Sequence, residues 1–248
     1  MMNIMNKLTL LPLAALLVIS SDSTHAQSAG FIVSQHGKAV GTANFNFTAT
    51  SSGYDSKALV SVKLKGLDYS LSKTERLNSA NQLRHVELTA KVNGTEVNVT
   101  ADPEAAQIPL VISSNGNTSS SDLAAHAAAV FLPDFDPGAL ETLLALGVAS
   151  NNRDLWAIIP KKAGSIEPIK LATYGDEKGT LDGQPIVVHH LVATIAGAST
   201  DIFSGPDNQL LQAELPQPGF ALVRKGFVLT PPTKPGPPPT PPPAQPTQ

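Results

Sequence analysis

The chain contains no cysteine at all. Disulfides, thiolate zinc sites, iron–sulfur clusters and cysteine nucleophiles are therefore excluded, and stability must come from a core. Aromatic residues make up 5% of the sequence and there is a single tryptophan. Positive charge is also in short supply: Lys plus Arg number 17 against 20 Asp plus Glu, a formal net charge of -3. That balance leaves no basic footprint for nucleic acid, and no basic amphipathic helix offers itself to a membrane surface. The motifs G-x-S-x-G and H-E-x-x-H are missing, as is a glycine loop that would cradle phosphate. No residue pattern therefore nominates catalytic residues, a cofactor or a metal.

What is present is divided sharply along the chain. Lys7 precedes an apolar run over residues 8–19, and Thr24-His25-Ala26 supplies small residues before Gln27. That order reads as a secretory signal peptide over residues 1–26. The run is short of the roughly 20 residues a membrane span needs. The expected location is the periplasm or the exterior. At the other end, residues 230–248 hold ten of the 21 prolines. Such a composition cannot bury a core and reads as a disordered, extended spacer. Between the two lies one domain, residues 29–229.

Period-two alternation dominates that domain. Val60, Val62 and Leu64 oppose Ser61, Lys63 and Lys65; Val86, Leu88 and Ala90 oppose Glu87, Thr89 and Lys91. One dry and one wet face marks strands of an antiparallel sheet. Asn93-Gly94, set between two alternating runs, is the signature of a two-residue type I′ hairpin, and Asp182-Gly183 repeats it. Residues 184–195 differ, because Ile186, Val188 and Val192 share one face while Val187, Leu191, Ala193 and Ile195 share the other. This strand should be covered on both sides.

A helical insertion is expected near residues 122–149. Asp136 can cap a helix with Pro137 in its first position, and Leu140, Leu143, Leu144 and Val148 repeat at helical spacing. The Ala-rich stretch 123–130 offers a second helix. Phe131, Phe135, Leu140, Leu143, Leu144 and Trp156 surround this insertion, either as plain core or as the lining of an apolar site; they are the candidate ligand-binding residues. Other groups point to chemistry less well. His189 and His190 are adjacent on a strand and face opposite ways, so they cannot share one ion. His85 and Glu87 share a face, as ordinary cross-strand pairs do. Asp134-Phe135-Asp136 lacks the ligand spacing of a calcium loop.

Two segments carry a family resemblance. Phe31-Ile32-Val33 with Gly37-Lys38-Ala39-Val40-Gly41 resembles the start of uncharacterised bacterial periplasmic families. Asp207-Asn208-Gln209-Leu210-Leu211 with Gly219-Phe220-Ala221-Leu222-Val223-Arg224 resembles their end. The resemblance implies a half-barrel similar to the lipoprotein-carrier proteins. The fold expected is thus mainly β, a curled antiparallel sheet with the helical insertion on its concave face. The function expected is binding or carriage of an apolar, lipid-like ligand or partner. An envelope structural or protein-interaction module with a proline-rich spacer is the alternative, and a hydrolase with dispersed catalytic residues comes third.

Overall fold

The computed structural model describes residues 27–161 and 164–231. The expected signal peptide, and the proline-rich tail beyond Pro231, lie outside the described residues. Strand β1 (Gln27–Gln35) opens a long meander: β2 (Lys38–Thr50), β3 (Gly53–Leu64), β4 (Leu67–Asn78), β5 (Leu83–Val92), β6 (Thr95–Ala101), β7 (Gln107–Ser114) and β8 (Asn117–Ala124). Each pairs antiparallel with the one before it. The short β9 (Ala128–Phe131) leads to helix α1 (Pro137–Leu144), which continues as a π-helical turn, Ala145–Ala149. There follow β10 (Leu155–Ile159), β11 (Ser165–Leu181), β12 (Gln184–Ile195), β13 (Ala198–Ser204), β14 (Leu210–Glu214), β15 (Phe220–Arg224) and β16 (Phe227–Leu229).

Among the described residues, sixteen strands form one sheet, in the order β8-β7-β6-β5-β4-β3-β2-β1-β15-β14-β13-β12-β11-β10-β9, with β16 beside β11. The sheet is curled and unclosed. Its edges differ in character. β8 reads NTSSSDLA and stays largely exposed, as suits a polar edge strand. β9 reads AAVF, is buried throughout and lies near β5 across the interior. The β9–β10 pair is the parallel exception in the antiparallel sheet. A helix between two strands returns the chain to its starting end, so the second strand must run alongside the first.

The alternating segments became strands with the expected facing. In β4, Tyr69, Leu71 and Leu77 are buried while Ser70, Ser72 and Arg76 are not. Asn93 and Gly94 take φ of 49° and 86°, as a type I′ turn requires, and join β5 to β6 through Val92↔Thr95. Asp182 and Gly183 do the same between β11 and β12. His36–Gly37, Asn115–Gly116 and Ala196–Gly197 make further turns of this kind, the last with alanine in the left-handed region.

Helix α1 begins where its sequence says it should. Asp136 Oδ1 accepts from the backbone N–H groups of Gly138 at 2.8 Å and Ala139 at 3.3 Å. Capping of this kind contributes about 1 kcal/mol. All eight residues of α1 are buried, against β2, β3, β9 and β14. The helix fills the concave face of the sheet instead of lying over it. The second expected helix is not formed. Residues 123–130 end β8 and supply most of β9, because pairing with β7 and β10 satisfies their backbone groups. Helix propensity, even in an Ala-rich run, is a weak preference and does not outweigh that pairing. The helical part of the insertion is therefore residues 137–149, not 122–149.

The double-faced strand β12 is covered on both sides, but in different halves. Leu191 and Ala193 belong to the main core inside the curl. Val188 belongs to a separate cluster with Phe203, Leu211 and Phe227. The covering element for that half is β16, whose Phe227 stands beside β11.

Candidate functional site

The site forms where α1 begins. Phe135 adopts φ of 59°, a left-handed conformation that costs an L-residue about 1–2 kcal/mol. Packing holds it there. Its ring lies edge-on to Tyr69 at 5.5 Å and against Phe220 at 5.1 Å. The Tyr69 hydroxyl also donates to the Asp134 carbonyl at 3.3 Å. The turn at Phe135 lets two carboxylates two residues apart serve different neighbourhoods.

Asp136 goes inward. Its Oδ2 lies 2.7 Å from Lys73 Nζ, and the same ammonium lies 2.9 Å from Glu75 Oε2. All three side chains are essentially inaccessible to solvent. Burial pushes the Lys73 ammonium down, but the Asp136 and Glu75 carboxylates outweigh it and raise it above the usual lysine range. One ammonium cannot compensate two buried carboxylates fully. Burial therefore raises the Glu75 carboxyl, with Lys73 opposing. Burial likewise raises the Tyr69 phenol, helped by Asp134 and Asp136.

Asp134 goes to the rim. Its Oδ1 accepts from Gln217 Nε2 at 2.7 Å and meets Lys161 Nζ at 2.8 Å. Behind this polar edge lies a cavity of about 260 Å³. Leu132, Pro133, Phe135 and Leu140 wall it on the side of α1; Ile159, Ile195, Ala196, Ala198, Leu215 and Pro216 wall it from the strands. Asp134, Asp136, Lys161, Thr200 and Gln217 supply its polar groups.

Of the six residues singled out from the sequence, Phe135 and Leu140 line this cavity. Phe131, Leu143 and Leu144 show no exposure and pack within the main core. Trp156 is half-buried on β10, stacked on His126 at 3.7 Å, with its Nε1 donating to Asp154 Oδ1 at 2.8 Å. It is not part of the cavity wall.

Lys73, Glu75, Lys161 and Gln217 were not found from the sequence. A signal for two of them existed. The alternation Tyr69-x-Leu71-x-Lys73-x-Glu75-x-Leu77 puts Lys73 and Glu75 on the dry face of β4.

A second pocket, of about 280 Å³, lies elsewhere along α1 and is lined by Gln27, Phe47, Tyr54, Asn81, Glu141, Thr142 and Asp207 among others. Glu141 Oε1 accepts from Leu210 N at 2.9 Å. Burial pushes the Glu141 carboxyl up to about 7, against the Leu210 hydrogen bond and the more distant Arg224 charge.

The histidines are engaged separately. His189 Nδ1 meets Asp176 Oδ1 at 2.8 Å. His190 Nε2 meets Asp201 Oδ1 at 2.8 Å, and its ring stacks with Phe203 and Tyr174. His85 lies between Asp102 at 2.6 Å and Glu87 at 3.2 Å. Among the described residues, no group of three or more His, Asp or Glu is arranged to hold a metal ion. Among them too, no helix is long and apolar enough to cross a membrane.

Comparison with known proteins finds a similar fold among solved structures. No family model matches the chain, and no curated protein matches it in sequence. Among solved structures it is similar to a β-barrel-like protein of the domain of unknown function DUF1849 from Brucella abortus. The TM-score is 0.52 at 10% identity, over 82% of this chain and 97% of that one. A DUF1089 family protein from Pseudomonas aeruginosa gives a TM-score of 0.39 at 9% identity, over 71% of this chain and 89% of that one. The first likeness shows a β-barrel-like fold, in keeping with the expected uncharacterised half-barrel, and nothing about function.

Proposed function

We propose that the protein is an exported binding or carrier protein for an apolar, lipid-like ligand, held in the cavity at the start of α1. The observation that carries this reading is the wall itself. Apolar side chains from α1, β10, the β12–β13 turn and the β14–β15 loop converge on one space of about 260 Å³. Its size is near the low end of small-molecule sites, about 300–1,000 Å³. It suits a short chain, or one end of a longer one. Binding would draw on removal of carbon surface from water, roughly 25 cal/mol per Å² before ordering costs.

The signal-peptide pattern of residues 1–26 supports export to the periplasm or beyond. A curled sheet with an apolar interior supports the carrier reading. A second reading, an envelope interaction module with the tail as spacer, draws on large exposed apolar side chains. Val228 is 63% exposed on β16, the strand that precedes the tail, Tyr174 is 56% exposed on its neighbour β11, and Val187 is 49% exposed on β12.

Native mass spectrometry of protein purified from its host tests the first reading. An apolar ligand should accompany the wild type. Ala198 is exposed and lines the cavity, so Ala198→Phe should occlude it, abolish the bound mass and leave the unfolding midpoint in place. A wild type that carries nothing, and takes up no added amphiphile, would overturn the carrier reading.

A further inference from the structure

The pocket of about 280 Å³ beside the second half of α1 is walled by polar side chains that the fold itself does not use. They come from separate places in the chain. Gln27 opens β1, Tyr54 stands near the start of β3, Asn81 lies in the β4–β5 loop, and Asp207 and Asn208 lie in the β13–β14 loop. The Tyr54 hydroxyl, the Asn81 and Asn208 amides and the Asp207 carboxylate have no hydrogen bond or ion pair with another side chain among the described residues. Thr142, in the same wall, is already engaged, its hydroxyl donating to the Gly138 carbonyl at 3.1 Å. Carbon surface is present as well, from Phe47, Ala145 and Ala149.

The charges of this wall have one sign. Among the described residues no Lys, Arg or His lines the pocket, but two acids do: Asp207 at the exposed rim and Glu141 in the buried wall. Glu141 is served only by hydrogen-bond donors, Leu210 N at 2.9 Å and the Gln27 side chain. Arg224 acts on it from β15 without lining the pocket, and its Nη1 donates to Gln209 Oε1 at 3.1 Å. Without a cation in contact, burial holds the Glu141 carboxyl up to about 7. An anion would meet like charge here, whereas a cation would be drawn by both acids, most strongly where solvent is thin. No three His, Asp or Glu among the described residues are arranged to hold a metal ion, which favours an organic cation. A primary ammonium brings three N–H donors, and Asp207, Asn81 and Asn208 each keep an acceptor free for one.

We propose that this pocket is a second binding site, for a small primary amine whose ammonium pairs with Asp207 at the rim and whose carbon stem lies against Phe47. Asp207 makes the direct contact because it is exposed. Glu141 supplies the second negative charge through the wall and needs no contact with the ligand. A consequence follows for protons. A cation nearby favours the ionised form of Glu141, so a chain that is partly protonated there at neutral pH gives up a proton when the amine binds. The site is independent of the apolar cavity and stands whether or not that cavity holds a lipid.

Calorimetric titration of the whole mature chain at neutral pH with butylammonium, butan-1-ol and butanoate varies the charge on a constant stem. Butylammonium should bind about tenfold tighter than either of the others, the scale of one charge-assisted hydrogen bond. Repeated in buffers of different ionisation enthalpy, the titration should show net proton release, which Glu141→Gln removes. Asp207→Asn changes an exposed side chain at constant shape and should weaken butylammonium about tenfold. Ala198→Phe, which closes the apolar cavity, should leave amine binding as it is. Should Glu141→Gln fail to fold, Asp207→Asn and proton release by the wild type decide. The assignment is overturned by butan-1-ol or butanoate binding as tightly as the amine, by calcium binding more tightly, or by the absence of proton release. Amine binding that survives Asp207→Asn unchanged, or that disappears with Ala198→Phe, overturns it as well.

Discussion

The two halves of α1 bury carboxylates in opposite ways. At its start, Asp136 shares the Lys73 ammonium with Glu75 and also accepts two backbone N–H groups. In its second half, Glu141 has one backbone donor, Leu210 N, a side-chain hydrogen bond from Gln27, and no ammonium in contact among the described residues. The first arrangement keeps charge inside the protein by assembling partners from β4. The second is held up to about 7 by burial, so it carries its proton across much of the acidic range. A buried ion group anchors an element, whereas a buried acid with no cation in contact makes the same element respond to pH.

The sharpest way to break this comparison is Lys73→Met. It leaves two carboxyl groups buried without their cation, and loss of one partner from such a group costs about 3–5 kcal/mol. The urea midpoint should drop accordingly. Adding Glu75→Leu should recover part of the loss, because only Asp136 then lacks the ammonium and it keeps its two backbone donors. An unchanged midpoint in the single variant would mean that the three charges are hydrated and do not anchor α1.

Glu141 gives the next effect. Its folded-state carboxyl is raised from 4.5 to about 7, so between those values the folded chain holds a proton that the unfolded chain has released. Its contribution is therefore full below the ordinary carboxylate range, falls as pH rises toward 7, and is level beyond. The drop is on the order of 3 kcal/mol from the size of the shift. Glu75, also raised, acts in the same direction. Glu141→Gln retains an acceptor for Leu210 N and should flatten the fall measured by urea titration between pH 4.5 and 7. A slope identical to wild type would show that Glu141 ionises freely.

The smallest effect belongs to a site outside both halves of α1, as a control for local against tertiary control. Gly94 has φ of 86° with open space around it, so Gly94→Val meets only backbone strain. The expected loss is about 1–2 kcal/mol in thermal unfolding. A larger loss would indicate a packing role that the turn does not have.

Particular elements show why some of this was legible. The alternation at Val60, Val62, Val86 and Leu88 reports the burial of each side chain in its own strand. Asn93-Gly94 reports its own φ values, and Asp136-Pro137 reports its own cap. The stretch 123–130 misled because helix propensity in an Ala-rich run is weak beside the strand pairing that β7 and β10 offer from elsewhere in the chain. For β12, apolar residues on both faces told that both would be covered, but not that β16 would cover one half and the core the other. The apolar set around the insertion mixed wall and core, because size and spacing describe a buried side chain without saying whether its neighbour is another side chain or a space.

By itself, then, the sequence determined the strands, the hairpins and the start of α1, since each depends on residues within a few positions of one another. Only the tertiary structure decided that Lys73 would meet Asp136, that Gln217 would reach Asp134 across 83 positions, and that four separate elements would leave a cavity between them. Those meetings depend on how far the sheet curls and on which strands α1 settles against, and no local pattern of side chains encodes an angle accumulated over sixteen strands.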